Sequence, residues 1–428
     1  MNPVLQIERG KVVSALSIVQ SIVERRNINP ILSHVKIIIY SSGVMRFVCT
    51  DMDIVVSSTI DVEAFDTTQK KIAFTTPVSV FYEILRKMQD RYIDLDLSNV
   101  ESGLLIVKTD DSQFKLGCSE EDKFPPLDIE EYHIKNFATP SSVEQVSSHN
   151  FLMHVTAEEL YHLLSGTKYA ISSSEISYHL NGICFQAVKA DTIPSKYECF
   201  ELLRASSAQS AEDYNVDHTE NFLLAVSTDT HRLATAAIPI QEGAFEIKEV
   251  IVPKKTVMEL LKLTENMERK DKINISMHER KIIFSTPDVV IVSKLISSEF
   301  PSYREILKEK YDKIVTVSRK AMIAAIDIVT SVIDDKMKPC QVSFSEDNVE
   351  ISVESQIHTK GSGVKNIKSR TNGEIKFTII LNSRYVLDTL NVIEEDEVEI
   401  LMRDIESAII VRGADNQCSI HMIMPMQP

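Results

Sequence analysis

One pattern of segments occurs three times along the chain, and this internal repeat limits the possible folds more than any other feature. Each copy combines a short apolar strand, a turn and an amphipathic helix, and the copies span 72–88, 250–263 and 377–393. In the second copy, Val257, Leu260 and Leu261 recur at i, i+3 and i+4, which is the spacing of one helical face. A repeat of this kind predicts a chain built from structural units of similar design.

A second helical pattern precedes each copy. These segments span 11–27, 156–171 and 318–336. After the second helix of each unit the apolar period changes to two, which is typical of strands. We therefore predict an α+β fold of three tandem domains, each with two helices packed on antiparallel sheet of roughly eight strands. The predicted domains span 1–135, 150–305 and 314–428, with a linker at 136–150 and an inserted polar loop at 196–220.

Two short acidic motifs of similar sequence occur in the first and second repeats. They are "CTDMD" at 49–53 and "STDTH" at 227–231. Asp51 and Asp53 stand two apart, so on a strand they would point the same way and could share a metal ion. A turn at a strand end is the interpretation we favour.

Of all segments in the sequence, "STDTHRLA" at 227–234 most resembles a catalytic motif. It brings Asp229, His231 and Arg232 together, and a His–Asp pair can serve as a general base. Strand alternation would place Asp229 and His231 on one face and Arg232 on the other. No nucleophile is specified, so we favour a strand or turn with satisfied hydrogen bonds and predict a protein that is not an enzyme.

Motifs for cofactors and metals are absent from the sequence. It has no G-x-G-x-x-G, no phosphate-binding P-loop and no H-E-x-x-H, and only 11 glycines in 428 residues. No two of the six cysteines stand at C-x-x-C spacing, which argues against a zinc site. We expect no cofactor, and buried free thiols in a reducing cytoplasm.

The net charge of −16 argues against capture of nucleic acid by the whole surface. Acidic residues concentrate in the predicted loop segment 119–131 and at 394–397, whereas Arg25, Arg26 and Lys254 lie on or beside predicted helices. This segregation fits either a local basic helical face or ordinary solvated helices. No apolar run approaches the ~20 residues that span a bilayer, and no signal-peptide pattern is evident.

The chain ends in "HMIMPMQP", although most termini are polar and unattached. The methionines of this segment could be plain core residues. Alternatively, they could form a wall of a binding site, because the flexible methionine side chain adapts to different ligands.

Several motifs, taken in order, resemble the bacterial DNA polymerase III beta subunit, the sliding clamp. They are "LNGICF" (180–185), "STDTHRLA" (227–234), "VIVPKK" (250–255), "EFPSYREIL" (299–307), "YVLDTLN" (385–391) and "MPM" (424–426). The resemblance extends over essentially the whole chain. It implies a head-to-tail homodimer whose two subunits close into a six-domain ring around duplex DNA, held without regard to sequence.

The resemblance also implies partners and a function in processivity. A clamp loader ATPase places the ring on DNA, and the ring tethers the replicative polymerase, repair polymerases and other proteins that carry a clamp-binding peptide. The implied peptide pocket consists of Leu180, Thr228, His231, Arg232, Leu233, Pro253, Val257, Met422, Met424, Pro425 and Met426.

The implied DNA contacts are Arg26 and Tyr178, and the implied ring seam contains Phe114 on a strand and Ile333 on a helix. The loop at 171–179 departs from the family pattern at Ser174, Ser177 and His179, where the family often has glutamine, basic or aromatic residues. A weaker grip on DNA is the consequence we expect.

Two alternatives remain at this level. One is a repeat-built peptide-binding scaffold that does not encircle DNA. It would share the pocket but would not stay on circular DNA after loading. The other is a hydrolase that uses Asp229 and His231.

Overall fold

The structure is a computed structural model that describes most of the chain. The described residues are 4–23, 29–64, 70–127, 150–189, 221–240, 249–303, 311–333, 339–354, 361–414 and 419–426. The predicted inserted loop at 196–220, Arg26, and the linker at 136–150 apart from its last residue lie outside them. Within the described ranges, no helix is both long and apolar enough to cross a membrane.

Each of the predicted helical patterns forms a helix. The helices are α1 (Arg9–Val19), α2 (Val78–Lys87), α3 (Ala157–Thr167), α4 (Lys254–Glu265), α5 (Arg319–Thr330) and α6 (Ser383–Val392). Side chains cap the two helices of the third repeat: Ser318 accepts a hydrogen bond from Ala321 N, and Asn382 accepts one from Arg384 N. Such caps satisfy amides that have no partner inside the helix.

The strands follow the predicted change of period to two. In the first repeat they are β1 (Val4–Glu8), β2 (His34–Tyr40), β3 (Val44–Thr50), β4 (Ile54–Asp61), β5 (Lys71–Pro77), β6 (Tyr92–Asp96), β7 (Leu104–Lys108), β8 (Gln113–Gly117) and β9 (Ser119–Glu120). In the second they are β10 (Asn150–Thr156), β11 (Gly182–Lys189), β12 (Asn221–Thr228), β13 (Arg232–Ile240), β14 (Val250–Pro253), β15 (Lys272–His278), β16 (Lys281–Ser285) and β17 (Val289–Lys294). In the third they are β18 (Lys313–Ser318), β19 (Pro339–Phe344), β20 (Asn348–Glu354), β21 (Ser362–Thr371), β22 (Phe377–Asn382), β23 (Glu397–Met402), β24 (Ile409–Gly413) and β25 (Ser419–Ile423).

The chain forms two compact units. Unit 1 comprises Met1–Ala157 and Met258–Leu295, and unit 2 comprises Glu158–Val257 and Ile296–Pro428. Unit 1 contains a four-stranded sheet in the order β1-β6-β7-β8 and a nine-stranded sheet in the order β10-β15-β16-β17-β4-β3-β2-β5-β9. Unit 2 contains one twelve-stranded sheet in the order β14-β11-β12-β13-β25-β24-β23-β18-β21-β20-β19-β22. The strand pairs are antiparallel, as predicted.

Each unit contains a junction at which a sheet continues from one repeat into the next. In unit 1, β4 pairs with β17, the last strand of the second repeat, with Ile54 opposite Ser293. In unit 2, β13 pairs with β25, the last strand of the third repeat, with Arg232 opposite Ile423. This continuity explains why two compact units divide the second repeat between them. The residue limits of the three predicted domains stay a prediction.

Helices pack against the sheets of each unit. In unit 1, α1 packs against β4 and α2, and the aromatic core includes Phe47, Phe74 and Phe81. In unit 2, α5 packs against β21, β20 and α6. The helices therefore bury the apolar stripes that the sequence pattern had identified.

Ile333 is not on a helix, so that part of the seam prediction is wrong. Helix α5 ends at Thr330, and Ile333 follows in a turn in which its amide donates to Thr330 O at 3.3 Å. The Ile333 side chain is 8% exposed and belongs to the core cluster of the third repeat. The apolar period of 318–336 continues past the helix end because core packing, rather than helix geometry, requires it.

Candidate binding site

The stretch that looked catalytic forms the turn between β12 and β13. The Thr228 hydroxyl donates to Arg232 O at 2.7 Å and accepts from Thr230 N at 3.1 Å. One carboxylate oxygen of Asp229 accepts from the amides of His231 and Arg232, each at 3.0 Å. Thr230 has a φ of +77°, an uncommon conformation for a residue other than glycine, which the surrounding hydrogen bonds hold in place.

Asp229 and Arg232 do not lie on opposite faces, contrary to the strand-alternation prediction. Arg232 Nε donates to Asp229 Oδ2 at 3.0 Å. Alternation does not apply because β12 ends at Thr228 and β13 begins at Arg232, so the residues between them form a turn. With its oxygens occupied by two amides and a guanidinium, Asp229 is not arranged to orient His231 as a general base.

Arg232 is a hub that joins several elements of unit 2. Its NH1 donates to Asp388 on α6 at 2.6 Å, and its NH2 donates to Tyr169 O at 2.6 Å. The guanidinium carbon also lies 4.4 Å from the ring centre of Tyr385 and 5.1 Å from that of Tyr169. Arginine suits this role because its planar group can donate several hydrogen bonds and stack on aromatic rings at once.

The surface beside this hub is aromatic. The exposed His231 ring stacks on Tyr385 with a centroid distance of 6.5 Å and an interplanar angle of 22°. Burial raises the pKa of Tyr385, and the nearby Asp229 carboxylate raises it further, so the phenol stays protonated. Tyr385 therefore offers an uncharged ring edge and a hydroxyl next to the imidazole.

The C-terminal segment forms the other side of the site. Strand β25 pairs with β13, with Met422 opposite Leu233. The chain then continues along the turn, where Met424 N donates to His231 O at 2.8 Å, and Met426 N donates to Ile380 O at 2.8 Å. Met424 is 42% exposed, and Pro425 and Met426 are half-buried. Backbone hydrogen bonds thus hold an apolar chain end at the surface of unit 2.

The remaining predicted pocket residues lie deeper. Leu180, Leu233 and Met422 belong to one buried cluster, with exposures of 1%, 6% and 3%. Val257 is fully buried, and the half-buried Pro253 stands opposite Gly182 in the sheet. The structure therefore divides the predicted set into buried residues and a surface group of His231, Pro253, Met424, Pro425 and Met426.

Three residues of this region were missed by sequence reasoning: Tyr169, Tyr385 and Asp388. Tyr385 and Asp388 had a signal, because they stand three apart in the helical motif "YVLDTLN" and so share a helix face. Tyr169 had none, since its partners Arg232 and His421 are 63 and 252 positions away in sequence.

The second acidic motif is also a turn, as favoured. Asp51 Oδ1 accepts from the amides of Asp53 at 2.9 Å and Ile54 at 2.8 Å, and Met52 has a φ of +81°. Asp53 forms an ion pair with Lys294 at 3.1 Å. The two carboxylates are thus engaged in different contacts and are not paired toward a shared metal ion. Within the described ranges, no group of three or more potential metal ligands occurs.

The predicted DNA-contact residue Tyr178 lies in a projecting loop of unit 2. Ser172 N donates to Leu180 O at 3.1 Å and closes the loop, and Lys254 Nζ donates to Ser173 Oγ at 2.9 Å. The tip is exposed, with Ile176 at 93% and Tyr178 at 54%. The lysine at the start of α4 is therefore bonded to the loop that carries the exposed tyrosine.

The predicted seam residue Phe114 lies on β8, the outer strand of the four-stranded sheet, and is 38% exposed. It borders a cavity of about 770 Å³ that is also lined by Val80, Glu83 and Lys87 of α2 and by Asp111. Among the described strands, β8 pairs with β7 alone. An open strand edge with exposed apolar side chains is a typical place for another chain to pair.

Models of one protein family match this chain in three consecutive regions. The DNA polymerase III beta subunit N-terminal domain matches residues 4–128, the central domain matches 212–302, and the C-terminal domain matches 304–427.

Similar proteins extend over the full length. The beta sliding clamp of Caulobacter vibrioides is 28% identical over 424 residues, which cover 99% of each chain. That of Pseudomonas aeruginosa is 24% identical and covers 98% of this chain and 99% of its own. Among solved structures, the DNA polymerase III subunit beta sliding clamp of Bartonella birtlesii, bound to griselimycin, matches with a TM-score of 0.81, 26% identity and full coverage of both chains. The Caulobacter crescentus clamp matches with a TM-score of 0.80 and 26% identity.

Proposed function

The chain belongs to the DNA polymerase III beta subunit family, the sliding clamps, and from this premise we infer how its parts perform that function. As a sliding clamp it is a non-catalytic processivity subunit. We propose that two copies encircle duplex DNA without regard to sequence, and that the ring tethers the replicative polymerase, repair polymerases and the clamp loader. The arrangement of strand pairs carries this proposal.

Strands of successive repeats pair in the same way twice within one subunit, and the third pairing of this kind has no partner strand among the described residues of that subunit. In repeat one, the strand after the turn at 50–53 is β4, and it pairs with β17, the last strand of repeat two. In repeat two, the strand after the turn at 228–231 is β13, and it pairs with β25, the last strand of repeat three. The corresponding strand of repeat three is β21. Its residues 362–368 pair with β20 on one side, and its residues 369–371 pair with β18. Its first half therefore has one open edge among the described residues.

Strand β8 corresponds in repeat one to β17 and β25, and among the described strands it is the other one that this rule leaves without a partner from another repeat. We propose that β8 of one copy pairs with the open half of β21 of a second copy. Such a head-to-tail contact closes a ring of two subunits when it is made twice. Phe114 and Val80 on one side, and the exposed Val364 of β21 on the other, supply apolar surface for the seam. Ile333 would support this face from the core.

The partner-binding site is proposed to be the region around the turn at 228–231. A partner peptide with apolar anchors would contact Met424, Pro425, Met426 and Pro253, and would displace or reorder side chains to reach the buried Leu180, Leu233, Val257 and Met422. Thr228 and Arg232 fix the turn, and His231 frames the entrance. Methionine suits a site that accepts several peptides, because its side chain repacks at low cost.

The loop that ends at Tyr178 is the proposed DNA contact, together with Arg26. Tyr178 is exposed, and Lys254 is bonded to the same loop. Contacts to phosphates carry no sequence information, so a ring that uses them can slide. We also propose a cytoplasmic location, supported by the thiols of Cys49 and Cys340, which are buried and form no disulfide.

Two measurements test the proposal. Sedimentation should give a dimer at micromolar concentration, and Phe114→Asp should give a monomer because it places a charge in the seam. Loaded on nicked circular DNA, the wild-type protein should remain bound at a salt concentration that releases it from linear DNA. Monomer alone, or equal release from both DNAs, would contradict the ring and leave a peptide-binding scaffold.

The peptide site is tested separately by fluorescence anisotropy. A labelled peptide of the Gln-Leu-X-Leu-Phe type should bind the full chain, and a chain truncated after Ile423 should lose binding while it stays folded. Unchanged binding after truncation would remove the C-terminal segment from the site.

A further inference from the structure

A chain of hydrogen bonds crosses unit 2 beneath the proposed peptide site. Thr389 Oγ1, on α6, donates to the Tyr169 hydroxyl at 3.1 Å. That hydroxyl lies 2.9 Å from Nδ1 of His421, on β25. Thr389 is fully buried and His421 is 1% exposed, so water does not compete for these groups.

The set of hydrogen-bond partners assigns a direction to each proton, because only one arrangement gives every hydroxyl an acceptor. Because Thr389 donates to the Tyr169 oxygen, the single Tyr169 proton is directed to His421 Nδ1. His421 is then a neutral imidazole with its proton on Nε2. Burial, together with the nearby His162, lowers the pKa of His421 to about 3, so the ring is neutral at physiological pH.

Both ends of this hydrogen-bond chain belong to elements that form the site. Helix α6 also carries Tyr385, which stacks on His231, and Asp388, which binds Arg232. Strand β25 leads directly into Met424. Tyr169 contacts the hub as well, because its carbonyl oxygen accepts a hydrogen bond from Arg232 at 2.6 Å. A single residue therefore links α6, β13 and β25 through its hydroxyl and its main-chain carbonyl.

We infer that Tyr169 is a positioning residue of the peptide site: its hydroxyl fixes α6 relative to β25, and so fixes Tyr385 relative to Met424. This inference rests on the proposed peptide site and adds to it a residue that does not contact the peptide. Removing the hydroxyl leaves the fold of α6 and β25 intact. It removes the bond that fixes the distance between them, so the two sides of the site can move relative to each other. The bound peptide should then dissociate faster, while the encounter is unaffected.

The test uses Tyr169→Phe in the full-length protein, with the labelled Gln-Leu-X-Leu-Phe peptide as probe. We expect dissociation about five-fold faster, with an unchanged association rate, since one partly buried hydrogen bond contributes to this extent. The matched control is Tyr303→Phe. Tyr303 is also buried in unit 2, and its hydroxyl donates to Gln186 at 3.3 Å. The control should lower thermal stability to a similar extent and leave the dissociation rate unchanged.

A second pair of variants separates positioning from general stability. Thr389→Ser retains the hydroxyl and should bind like the wild type, whereas Thr389→Val should reproduce the Tyr169→Phe effect. The double variant Tyr169→Phe/Thr389→Val should dissociate no faster than either single one, because all three interrupt the same chain. Nitrogen NMR of His421 should report a changed Nδ1 environment in Tyr169→Phe and none in Tyr303→Phe.

The outcomes are distinguishable. Wild-type dissociation rates in Tyr169→Phe and Thr389→Val would overturn the positioning role, while loss of binding after truncation at Ile423 would still support the site itself. Absence of peptide binding by the wild-type protein would overturn both. If Tyr169→Phe does not fold, the comparison of Thr389→Ser with Thr389→Val decides.

Discussion

The junctions in unit 1 and unit 2 begin with the same turn. In unit 1, the Thr50 hydroxyl donates to Ile54 O at 2.8 Å and accepts from Met52 N at 3.0 Å. In unit 2, Thr228 makes the corresponding bonds to Arg232 O and from Thr230 N at 2.7 and 3.1 Å. Both turns contain an aspartate that accepts two amides and a non-glycine residue at positive φ.

The strands that follow are joined in the same way. Lys294 N donates to Asp53 O at 2.9 Å in unit 1, and Met424 N donates to His231 O at 2.8 Å in unit 2. The first strand residue after the turn differs, however: it is the buried Ile54 in one junction and Arg232 in the other. The repeated backbone therefore provides the framework, and the side chains on one copy of it form the proposed peptide site.

The residues on the opposite strand also differ between the two junctions in polarity. His421 stands opposite Ala234 in unit 2, and Ile291 stands opposite the corresponding Val56 in unit 1. The unit 1 junction is thus apolar where the unit 2 junction contains an arginine and a histidine. Fixed polar groups in a partly buried position hold one arrangement, which a recognition site requires and a plain junction does not.

The largest loss of stability and of peptide affinity should come from replacing Arg232 with isoleucine, the type of residue that Ile54 provides in the unit 1 junction. Arg232→Ile leaves Asp229 and Asp388 without their cation, and we expect a loss of about 3 kcal/mol in the free energy of unfolding, since breaking a buried ion pair is costly. Peptide affinity should fall at least about tenfold, which corresponds to 1.4 kcal/mol. Urea denaturation and anisotropy measure the two. Unchanged peptide affinity would show that the hub is structural only.

The histidine should make the molecule sensitive to acid. The pKa of His421 is about 3 in the folded protein and near its usual 6.5 when unfolded, so below pH 6.5 the unfolded chain takes up the proton first. Stability is present above pH 6.5 and is lost as the pH falls, by about 2 kcal/mol at pH 5. His421→Asn, whose amide does not titrate, should flatten this part of the pH profile. An equal slope in both proteins would contradict the assignment.

The shared turn should respond equally in both junctions. Thr50→Val and Thr228→Val each remove a hydroxyl that bonds twice within its turn, and we expect each to lower the free energy of unfolding by about 1 kcal/mol. Only Thr228→Val should also weaken peptide binding. A large effect on peptide binding from Thr50→Val would break the comparison.

The smallest effect is expected at Lys294. Its pair with Asp53 is exposed, with side-chain exposures of 55% and 75%, compared with 11% for Arg232. Lys294→Ala should change the free energy of unfolding by less than about 0.5 kcal/mol, because exposed ion pairs contribute little. It therefore serves as the control for Arg232→Ile in the same denaturation series.

Sequence reasoning identified the helices, the α+β class and both turns, and it selected Thr228, His231, Arg232 and Met424 through the family resemblance. It failed where a helix or strand period was assumed to continue beyond the end of the element. Ile333 lies beyond the end of its helix. Asp229 and Arg232 are bonded within a turn and do not alternate on a strand. It also missed Tyr169, whose contacts come from distant parts of the chain.

The sequence by itself determined the repeat, the helix faces and the turns, because these depend on residues within a few positions of one another. Only the tertiary structure decided which strands of different repeats pair and which apolar residues lie beneath the site. Arg232 pairs with Ile423, which lies 423 − 232 = 191 positions later in the sequence, and Lys294 bonds to Asp53 across 241 positions. Such pairings follow from packing of complete sheets, since the open edge of each repeat is satisfied only by a strand from another.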